Sequence, residues 1–282
     1  VIPFLPPRFQ LKQFDLLFFV SDGSITFLPT SSSILFFMNP FYHVHGRSLI
    51  NQFKLKFINY IICNSYYTKK FIDSEFGVNS KVVYPSVNLP KIKPSAKENL
   101  IISVGRFSST LHDKNHSALI QAFIKLESQL PNWQLVLVGG TEPGSESIVQ
   151  KLHRQIKNHR ISLKTDLSPT KLHQLYDQAK LYWHAAGYGT DLKFHPEKAE
   201  HFGISIVEAM GHGSIPLVFN AGGPTEIITP KSGFTWNTLK ELQQQTLNLV
   251  KNQPLSSQYA ATASQRAHYF SQSKLCQALN EI

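Results

Sequence analysis

Short apolar runs alternate along this chain with longer segments in which apolar residues recur every three or four positions. The runs have the length of strands and the longer segments that of helices, so the pattern predicts a parallel sheet covered by helices on both faces. The first 90 residues contain two predicted helices, Arg47–Asn59 and Tyr66–Phe76. They also contain four predicted strands, Phe14–Val20, Ile34–Met38, Tyr60–Cys63 and Lys81–Tyr84.

The predicted helix over Tyr66–Phe76 carries signals for both of its ends. Asn64 and Ser65 precede it, and these residue types cap helix starts through their side-chain oxygens. Gly77 follows it and can adopt the left-handed conformation that ends many helices. The residues next to this helix therefore predict where it begins and where it ends.

Three prolines between Pro85 and Pro94 predict a linker, because proline lacks the N–H that helices and sheets require. We predict a domain over residues 1–92 and another over 93–282. The first is shorter than the roughly 150 residues of a usual doubly wound domain, so we predict that it is incomplete. The pattern restarts after the linker with strands over Leu100–Val104, Gln134–Val138, Ile161–Leu163, Leu181–His184 and Ile215–Phe219. Helices are predicted over Lys114–Ser128, Ser145–Asn158, Ser168–Lys180, Gly203–Gly211, Gly223–Ile228, Lys240–Lys251, Gln258–Phe270 and Lys274–Glu281.

Composition narrows the function classes. The chain is 42% hydrophobic and 16% charged, which favours a folded core over disorder. Its net charge of +10 favours polyanionic partners such as phosphorylated substrates, nucleic acid or an anionic membrane. Cys63 and Cys276 stand far apart, which argues against a disulfide framework or a zinc-cysteine site. No signal-peptide pattern or spanning apolar run is evident, so we predict a cytoplasmic protein, and the missing initial Met suggests a trimmed chain.

The most specific segment places two carboxylates, Glu200 and Glu208, eight residues apart around a predicted helix start. Between them, Phe202, Gly203 and Ile204 would expose backbone N–H groups, and such a helix start attracts phosphate. An anion flanked by two hydroxyl-binding carboxylates matches the layout of a nucleoside diphosphate sugar. A helix-start acid and a solvated Glu are the plainer interpretation of the same pair.

Several segments in the same order resemble glycosyltransferase family 4, whose members are retaining enzymes. The run Glu200–Met210 resembles its acidic E-x7-E motif. Ile62–Ser65 and Val83–Pro85 resemble the end of its first domain. The remaining matches are Gly105-Arg106 with Asp113–Asn115, Leu135–Gly140, Leu175-Tyr176 with Ala179, and Gly222–Ile227.

The resemblance implies a GT-B architecture, with two Rossmann-like domains facing a cleft and the donor bound mainly by the second. It assigns the catalytic positions to Glu200, Arg106 and Lys114, with the two basic residues on the diphosphate and Glu200 on the donor sugar. Arg and Lys both suit phosphate, and a solvated basic loop is the plainer alternative. It assigns donor binding, the ribose contact of Glu208 included, to Glu208, Phe202, Gly203, Ile204, Gly105, His184, Gly222 and Gly223.

The resemblance also implies that no metal or other cofactor takes part. No D-x-D acid pair is found, and Arg106, Lys114 and the helix start can stabilise the leaving diphosphate. No protein nucleophile is evident, so we expect same-face attack with the leaving phosphate accepting the acceptor's proton. His112 and His116 have H-x-x-x-H spacing but lack the adjacent Glu of a zinc site.

Some positions depart from the family's pattern. Asn39 stands where many relatives carry a first-domain His, and His43 and His45 follow it as substitutes. The insert Trp183–His195 replaces a shorter loop, and His184 in it is either a donor contact or a structural residue.

Other functions stay open from the sequence. The turn Gly139–Gly144 is glycine-rich but lacks the G-x-G-x-x-G spacing of dinucleotide binding. A sugar epimerase, a phosphorylase or an inactive nucleotide-sugar-binding fragment would share the fold. No aromatic and basic stacking motif supports nucleic acid. The predicted partners are a nucleotide sugar, a glycan or lipid-linked acceptor, and an anionic membrane surface contacted by Lys54, Lys56, Lys69, Lys70, Lys91 and Lys93.

Overall fold

A computed structural model of the chain describes residues 14–28, 30, 32–90, 96–108 and 113–282. It forms two compact units. Unit 1 comprises the described residues up to Pro85 together with Leu275–Ile282, and unit 2 comprises Ser86–Lys274. The division therefore falls near Pro85, ahead of the predicted boundary at residue 92, and the end of the chain returns to unit 1.

Unit 1 contains a parallel sheet in the order β1-β2-β3-β4. Helix α1, Leu49–Leu55, connects β2 to β3, and helix α2, Tyr66–Phe76, connects β3 to β4. Ser65 caps α2 by accepting the N–H of Thr68, and Gly77 ends it in the left-handed region, as predicted. The strands are β1 Leu17–Ser21, β2 Ser33–Phe37, β3 Tyr60–Cys63 and β4 Lys81–Val82.

Apolar side chains cover both faces of this sheet. One face, with Leu35 and Phe37, packs against Ile72 and Phe76 of α2. The other face, with Ile34, Ile62 and Val83, packs against the last helix, α10, Gln272–Asn280. This second contact explains why the chain terminus belongs to unit 1.

Unit 2 contains a six-stranded parallel sheet in the order β10-β9-β8-β5-β6-β7. Its continuous apolar strands suit a sheet buried on both faces. The strands are β5 Glu98–Val104, β6 Gln134–Gly139, β7 Ile161–Thr165, β8 Ala179–His184, β9 Ile215–Phe219 and β10 Phe234–Trp236. The helices are α3 His116–Leu126, α4 Glu146–Ile156, α5 Pro169–Gln178, α6 Ile204–Gly211, α7 Pro224–Ile227, α8 Leu239–Lys251 and α9 Gln253–Ala267.

The strand order of unit 2 reverses at β5. The chain runs from β5 outward to β6 and β7, and then crosses over to β8, β9 and β10 on the other side. In such sheets, ligands bind beyond the carboxyl ends of the strands at the point of reversal. The loops that follow β5 and β8 are therefore the first place to look for a site.

The predicted alternation of strands and helices is confirmed as an α/β fold with parallel sheets. Sequence reasoning missed β10, whose three residues Phe-Thr-Trp are too short to show a period. Helix α9 begins at Gln253, five residues before the predicted start, with Asn252 as its side-chain cap. Residues 1–13 and the linker lysines Lys91 and Lys93 lie outside the described residues. No helix within the described ranges is long and apolar enough to span a membrane.

Candidate functional site

The carboxylate of Glu200 lies at the centre of a charged cluster at the switch point of unit 2. The Lys114 ammonium donates to its Oε2 at 2.7 Å, and the His184 Nε2 lies 3.0 Å from the same oxygen. Burial disfavours the charged form of Glu200, but Lys114 and His184 outweigh it and hold the pKa well below its usual range. The cluster therefore presents an ionised carboxylate beside a cation.

Two residues of the loop ahead of α3 bring Lys114 to this position. Gly105 leaves room for the Lys114 stem, because a Cβ on Gly105 would lie 2.5 Å from the Lys114 Cγ. Asn115 adopts a left-handed backbone with φ of 54°. Its amide donates to the carbonyls of Ala185 at 3.2 Å and Tyr188 at 2.9 Å, in the loop after β8. The K-N pair thus joins the two loops of the switch point.

Gly222 and Gly223 pack closely against the backbone of the acidic segment. The N–H of Gly223 donates to the Glu200 carbonyl at 2.8 Å. A Cβ on Gly222 would lie 2.2 Å from that carbonyl oxygen, and a Cβ on Gly223 would lie 2.2 Å from the carbonyl oxygen of His201. Only glycine permits this approach. The structure therefore places both glycines, which the resemblance assigns to donor binding, against the backbone that positions Glu200.

Helix α6 begins beside this cluster without a side-chain cap. Its N-cap residue is Gly203, with φ of 114°, a value that favours glycine. Ile204 is half-exposed at the first position. The Ser205 hydroxyl lies 3.3 Å from the Val104 carbonyl and 2.8 Å from the Tyr182 hydroxyl, which ties the first turn to the end of β5. An uncapped helix start at a switch point is suited to a phosphate group.

Phe202, the aromatic residue among the predicted donor positions, is buried. Its ring packs edge-on against Phe270 at 5.4 Å. Its side chain therefore anchors the segment.

Glu208 lies in a second polar cluster, at the far end of α6. The Tyr176 hydroxyl donates to its Oε2 at 3.1 Å. Burial raises the pKa of Glu208 above its usual value, and the bond from Tyr176 and the nearby His173 only partly oppose this shift. The two carboxylates of the motif therefore differ in the direction of their pKa shifts.

His212 packs behind Tyr176 and is hydrogen-bonded to two residues of α5. The Tyr176 ring stacks on His212 at 5.5 Å between centroids. His212 lies 2.7 Å from Asp177 through Nδ1 and 2.9 Å from His173 through Nε2. Burial lowers the pKa of His212, and Asp177 opposes that shift. A neutral His212 that donates to Asp177 accepts from His173 at its other nitrogen.

The sequence predicts only Glu208 as a functional member of this cluster. Tyr176 falls within the segment Leu175-Tyr176 that resembles the family, and nothing in the sequence analysis predicts a role for His173, Asp177 or His212. The signal available was their spacing on α5, because positions 173, 176 and 177 share one helical face. His212 follows α6 and reaches that face only in the folded chain.

The structure does not bring Arg106 to Lys114 and Glu200. Arg106 is exposed, and its Nη1 pairs with the Glu142 Oε1 at 2.9 Å. Glu142 lies in the turn Gly139–Gly144 after β6, which is glycine-rich but lacks the spacing of a dinucleotide-binding loop. Arg106 and Lys114 both lie in the connection between β5 and α3, but they pair with different carboxylates, those of Glu142 and Glu200.

Two histidines of this region are buried with an unpartnered ring nitrogen, Nδ1 of His184 and Nε2 of His116. Burial, with smaller contributions from Lys114 and His184, lowers the pKa of His116 to about 3. His112 lies outside the described residues. Among the described residues, no three His, Cys, Asp or Glu side chains form a group that could hold a metal ion.

The first-domain candidates Asn39, His43 and His45 lie in unit 1, in the loop after β2, and all three are exposed. His43 and His45 both have positive φ, 57° and 54°. The Glu75 carboxylate fixes this loop by accepting the N–H groups of His43, Val44 and Gly46 at 3.2, 3.1 and 3.0 Å. The structure thus rigidifies the loop without assigning a role to either histidine.

Two units, each built on a parallel sheet, define the class of the fold, which is GT-B. Among solved structures, the chain is similar to Anabaena HepE in complex with UDP, with a TM-score of 0.74, 20% identity, and coverage of 96% of this chain and 79% of that one. At that identity the likeness establishes the fold, which agrees with the predicted fold class.

The chain belongs to the family described as glycosyl transferases group 1, whose family model matches residues 87–266. It is 30% identical over 200 residues to the human GDP-Man:Man(3)GlcNAc(2)-PP-Dol alpha-1,2-mannosyltransferase, covering 65% of this chain and 39% of that protein. The Dictyostelium discoideum protein of the same name is 26% identical over 71% of this chain and 42% of its own length. The chain thus spans about two fifths of the length of these relatives.

Proposed function

We propose that this protein transfers a sugar from a nucleoside diphosphate sugar to a glycan or lipid-linked acceptor, with retention of the anomeric configuration, as in glycosyltransferase family 4. The observation that carries the proposal is Glu200, which is held ionised by Lys114 and His184 beside the uncapped start of α6. A carboxylate, a cation and a helix start within one cluster match the hydroxyls and phosphates of such a donor.

The proposed donor spans the two clusters of α6. Its diphosphate lies at the backbone N–H groups that follow Gly203, where Lys114 and Arg106 reach it. The donor sugar lies on Glu200, and the ribose hydroxyls lie on Glu208. Arg106 leaves Glu142 for the diphosphate, since an exposed ion pair of this kind is worth little by itself.

The proposed reaction follows from where charge develops. The acceptor oxygen attacks the anomeric carbon while the bond from that carbon to the phosphate oxygen breaks. Negative charge grows on the leaving diphosphate, where Lys114, Arg106 and the start of α6 stabilise it. The diphosphate takes the acceptor's proton on the same face of the sugar, which preserves the configuration. These groups do the work that a metal ion does in other transferases, so we propose that none is needed.

The relatives suggest the identity of donor and acceptor. The human and Dictyostelium proteins are named for GDP-mannose and a dolichol-linked glycan, and their likeness covers 65% and 71% of this chain. We propose GDP-mannose as the donor and a lipid-linked glycan as the acceptor. We also propose that the protein works in the cytoplasm at a membrane face, where its net charge of +10 favours anionic lipid.

A thermal-shift series on the chain tests donor binding, since a ligand of the folded state raises the melting temperature. We expect a larger shift with GDP-mannose than with UDP-glucose, a shift with GDP, and a smaller one with guanosine. An unchanged melting temperature with all four compounds contradicts the proposal. The anomeric configuration of the product, read by NMR after transfer to a lipid-linked acceptor, tests retention separately.

A further inference from the structure

His212, the C-cap residue of α6, lies on the same side of that helix as Glu208. Its N–H donates to the Glu208 carbonyl at 3.0 Å, one helical turn back. Side chains four residues apart are neighbours on a helix surface, and Tyr176 of α5 contacts both of them. The Tyr176 ring stacks on His212, and its hydroxyl donates to the Glu208 carboxylate. The His212 ring therefore supports the tyrosine that reaches Glu208.

Two residues of α5 bind the His212 ring, one at each nitrogen. Its Nδ1 lies 2.7 Å from the Asp177 Oδ1, and its Nε2 lies 2.9 Å from the His173 Nδ1. The His212 side chain is only 2% exposed, so its ring has no second set of partners in solvent. A neutral imidazole has one donor and one acceptor, and here both are used. The orientation of the ring is therefore fixed.

The backbone around this cluster is fixed by Lys97, the residue ahead of β5. Its buried ammonium donates to the carbonyls of Tyr176, Ala179 and His212 at 3.0, 2.9 and 2.6 Å. The Ser214 hydroxyl donates to the same Ala179 carbonyl at 2.8 Å. These bonds hold the end of α5 against the turn after α6.

Only one proton fits between His173 and His212. The His212 Nε2 accepts from the His173 Nδ1, because its other nitrogen donates to Asp177. A further proton therefore enters the pair at the Nε2 of His173. Positive charge on His173 lowers the pKa of Glu208, which burial otherwise raises. Within the described residues, the titratable groups that face the pair are Asp177, Tyr176, Glu208 and Lys97.

We propose that His173 and His212 are positioning residues for the ribose of the donor, which orient the Tyr176 hydroxyl and keep Glu208 ionised. The inference rests on the ribose contact of Glu208 in the proposed function. A carboxyl group accepts hydrogen bonds at both oxygens only when it is ionised. Charge on His173 therefore extends nucleotide binding toward lower pH, although neither histidine touches the donor.

A double-mutant cycle tests the positioning role. His212→Ala should weaken GDP binding roughly three- to tenfold, the range for one hydrogen bond, and leave pyrophosphate binding unchanged. In a Tyr176→Phe background the same substitution should have no further effect, because residues that act through one contact are not additive. The donor KM should rise while kcat stays within about twofold. His159→Ala is the matched control and should bind GDP normally, since His159 pairs with Glu127 at 2.7 Å elsewhere in unit 2.

The charge effect is measurable on the free protein. NMR of glutamate side chains labelled at the carboxyl carbon, with Glu208 assigned from Glu208→Gln, follows its titration. His173→Gln should raise the Glu208 midpoint by about one pH unit, because a neighbouring positive charge is lost. GDP affinity should then decline at a higher pH than in the unmodified chain, and His159→Ala should change neither quantity.

Several results would overturn the inference. They are additive losses of GDP affinity in the double variant, a parallel loss of pyrophosphate affinity, or an unchanged Glu208 midpoint in His173→Gln. The half-buried His173 also provides the test if His212→Ala fails to fold. Absence of GDP binding to the unmodified chain would refute the proposed function and the ribose contact with it. Equal GDP affinity of His212→Ala and the unmodified chain would refute the inference alone.

Discussion

The two carboxylates of the acidic motif lie in different surroundings, although Glu200 comes just before α6 and Glu208 lies within it. Glu200 touches a cation and a histidine, and its pKa is held far below the usual value. Glu208 touches a neutral tyrosine hydroxyl, and burial raises its pKa. The same residue type therefore stays ionised at one end of α6 and is protonated more readily at the other, because its surroundings shift its pKa in opposite directions.

This difference fits two separate tasks. A sugar ring that gains positive charge as its bond to phosphate breaks is stabilised by a carboxylate that stays ionised. In the proposed arrangement, the ribose hydroxyls need only a hydrogen-bond acceptor, and that acceptor is Glu208 with Tyr176 behind it. Substitutions at the two clusters should therefore change different quantities.

The largest effect is expected at the Glu200 cluster. Lys114→Met removes the cation next to Glu200, which the proposed mechanism also places beside the leaving diphosphate, so turnover should fall by about 10²–10³-fold, the range for loss of one transition-state donor. Initial rates of sugar transfer measure this. Lys151→Met, on the exposed side of α4, is the control and should keep normal turnover. Turnover within a few-fold of normal in Lys114→Met would remove this residue from the mechanism.

Arg106 tests whether the diphosphate reaches the second basic side chain of the connection between β5 and α3. Arg106→Ala should weaken binding of a nucleoside diphosphate by about 1.5–3 kcal/mol, the range for a charged hydrogen bond. Calorimetry with GDP and with guanosine separates the phosphate contribution, since guanosine should be much less affected. Glu142→Gln frees Arg106 and should leave GDP binding intact or tighter. An unchanged GDP affinity in Arg106→Ala rules the assignment out.

The opposite pKa shifts predict opposite stability effects. Because the folded pKa of Glu200 is lowered, its ionised form stabilises the fold above its unfolded pKa, and that contribution is lost as the pH falls through the folded value. Glu200→Gln should thus lower the free energy of unfolding at neutral pH by about 1–3 kcal/mol, with less effect in acid.

The ionisation of Glu208 has the opposite effect on the stability of the fold. Its folded pKa is raised, so ionisation destabilises the fold as the pH rises from the unfolded pKa through the folded one. Glu208→Gln should keep or raise the melting temperature at neutral pH. Denaturation curves of both variants across the acidic range check the pair, and a parallel loss of stability in the two would refute the contrast.

Tyr176→Phe removes the hydroxyl that orients Glu208 and keeps the ring stacked on His212. We expect a loss of about 0.5–1.5 kcal/mol in GDP affinity, with pyrophosphate binding unchanged. Tyr259→Phe is matched, because its hydroxyl donates to the Pro230 carbonyl at 2.9 Å. A normal GDP affinity in Tyr176→Phe, when Glu208→Gln is impaired, would show that Glu208 needs no such support.

The smallest effect is expected from metal removal. Excess chelator should leave the initial rate nearly unchanged, because in the proposed mechanism Lys114, Arg106 and the start of α6 take the place of a metal cation at the diphosphate. A rate that collapses with chelator and recovers with magnesium or manganese contradicts metal independence.

Much of the fold could be predicted because its signals are local. The strands Tyr60–Cys63 and Ile215–Phe219 and the helix Tyr66–Phe76 have the predicted bounds, since apolar runs and caps lie next to the residues they organise. The short strand β10 and the return of α10 to unit 1 were missed. Both depend on partners far away in the chain, and no local period reports them.

The sequence by itself determined the α/β class, the order of the elements and the acidic motif with its glycine at the helix start. These follow from periodicity, capping and spacing within a few residues. Only the tertiary structure decided that Lys114 and His184 share Glu200, that Arg106 pairs with Glu142, and that Tyr176 supports Glu208. Residues up to 86 positions apart form these contacts. Their distances, and the burial that sets the two opposite pKa shifts, arise only when the crossover at β5 brings separate loops to one edge of the sheet.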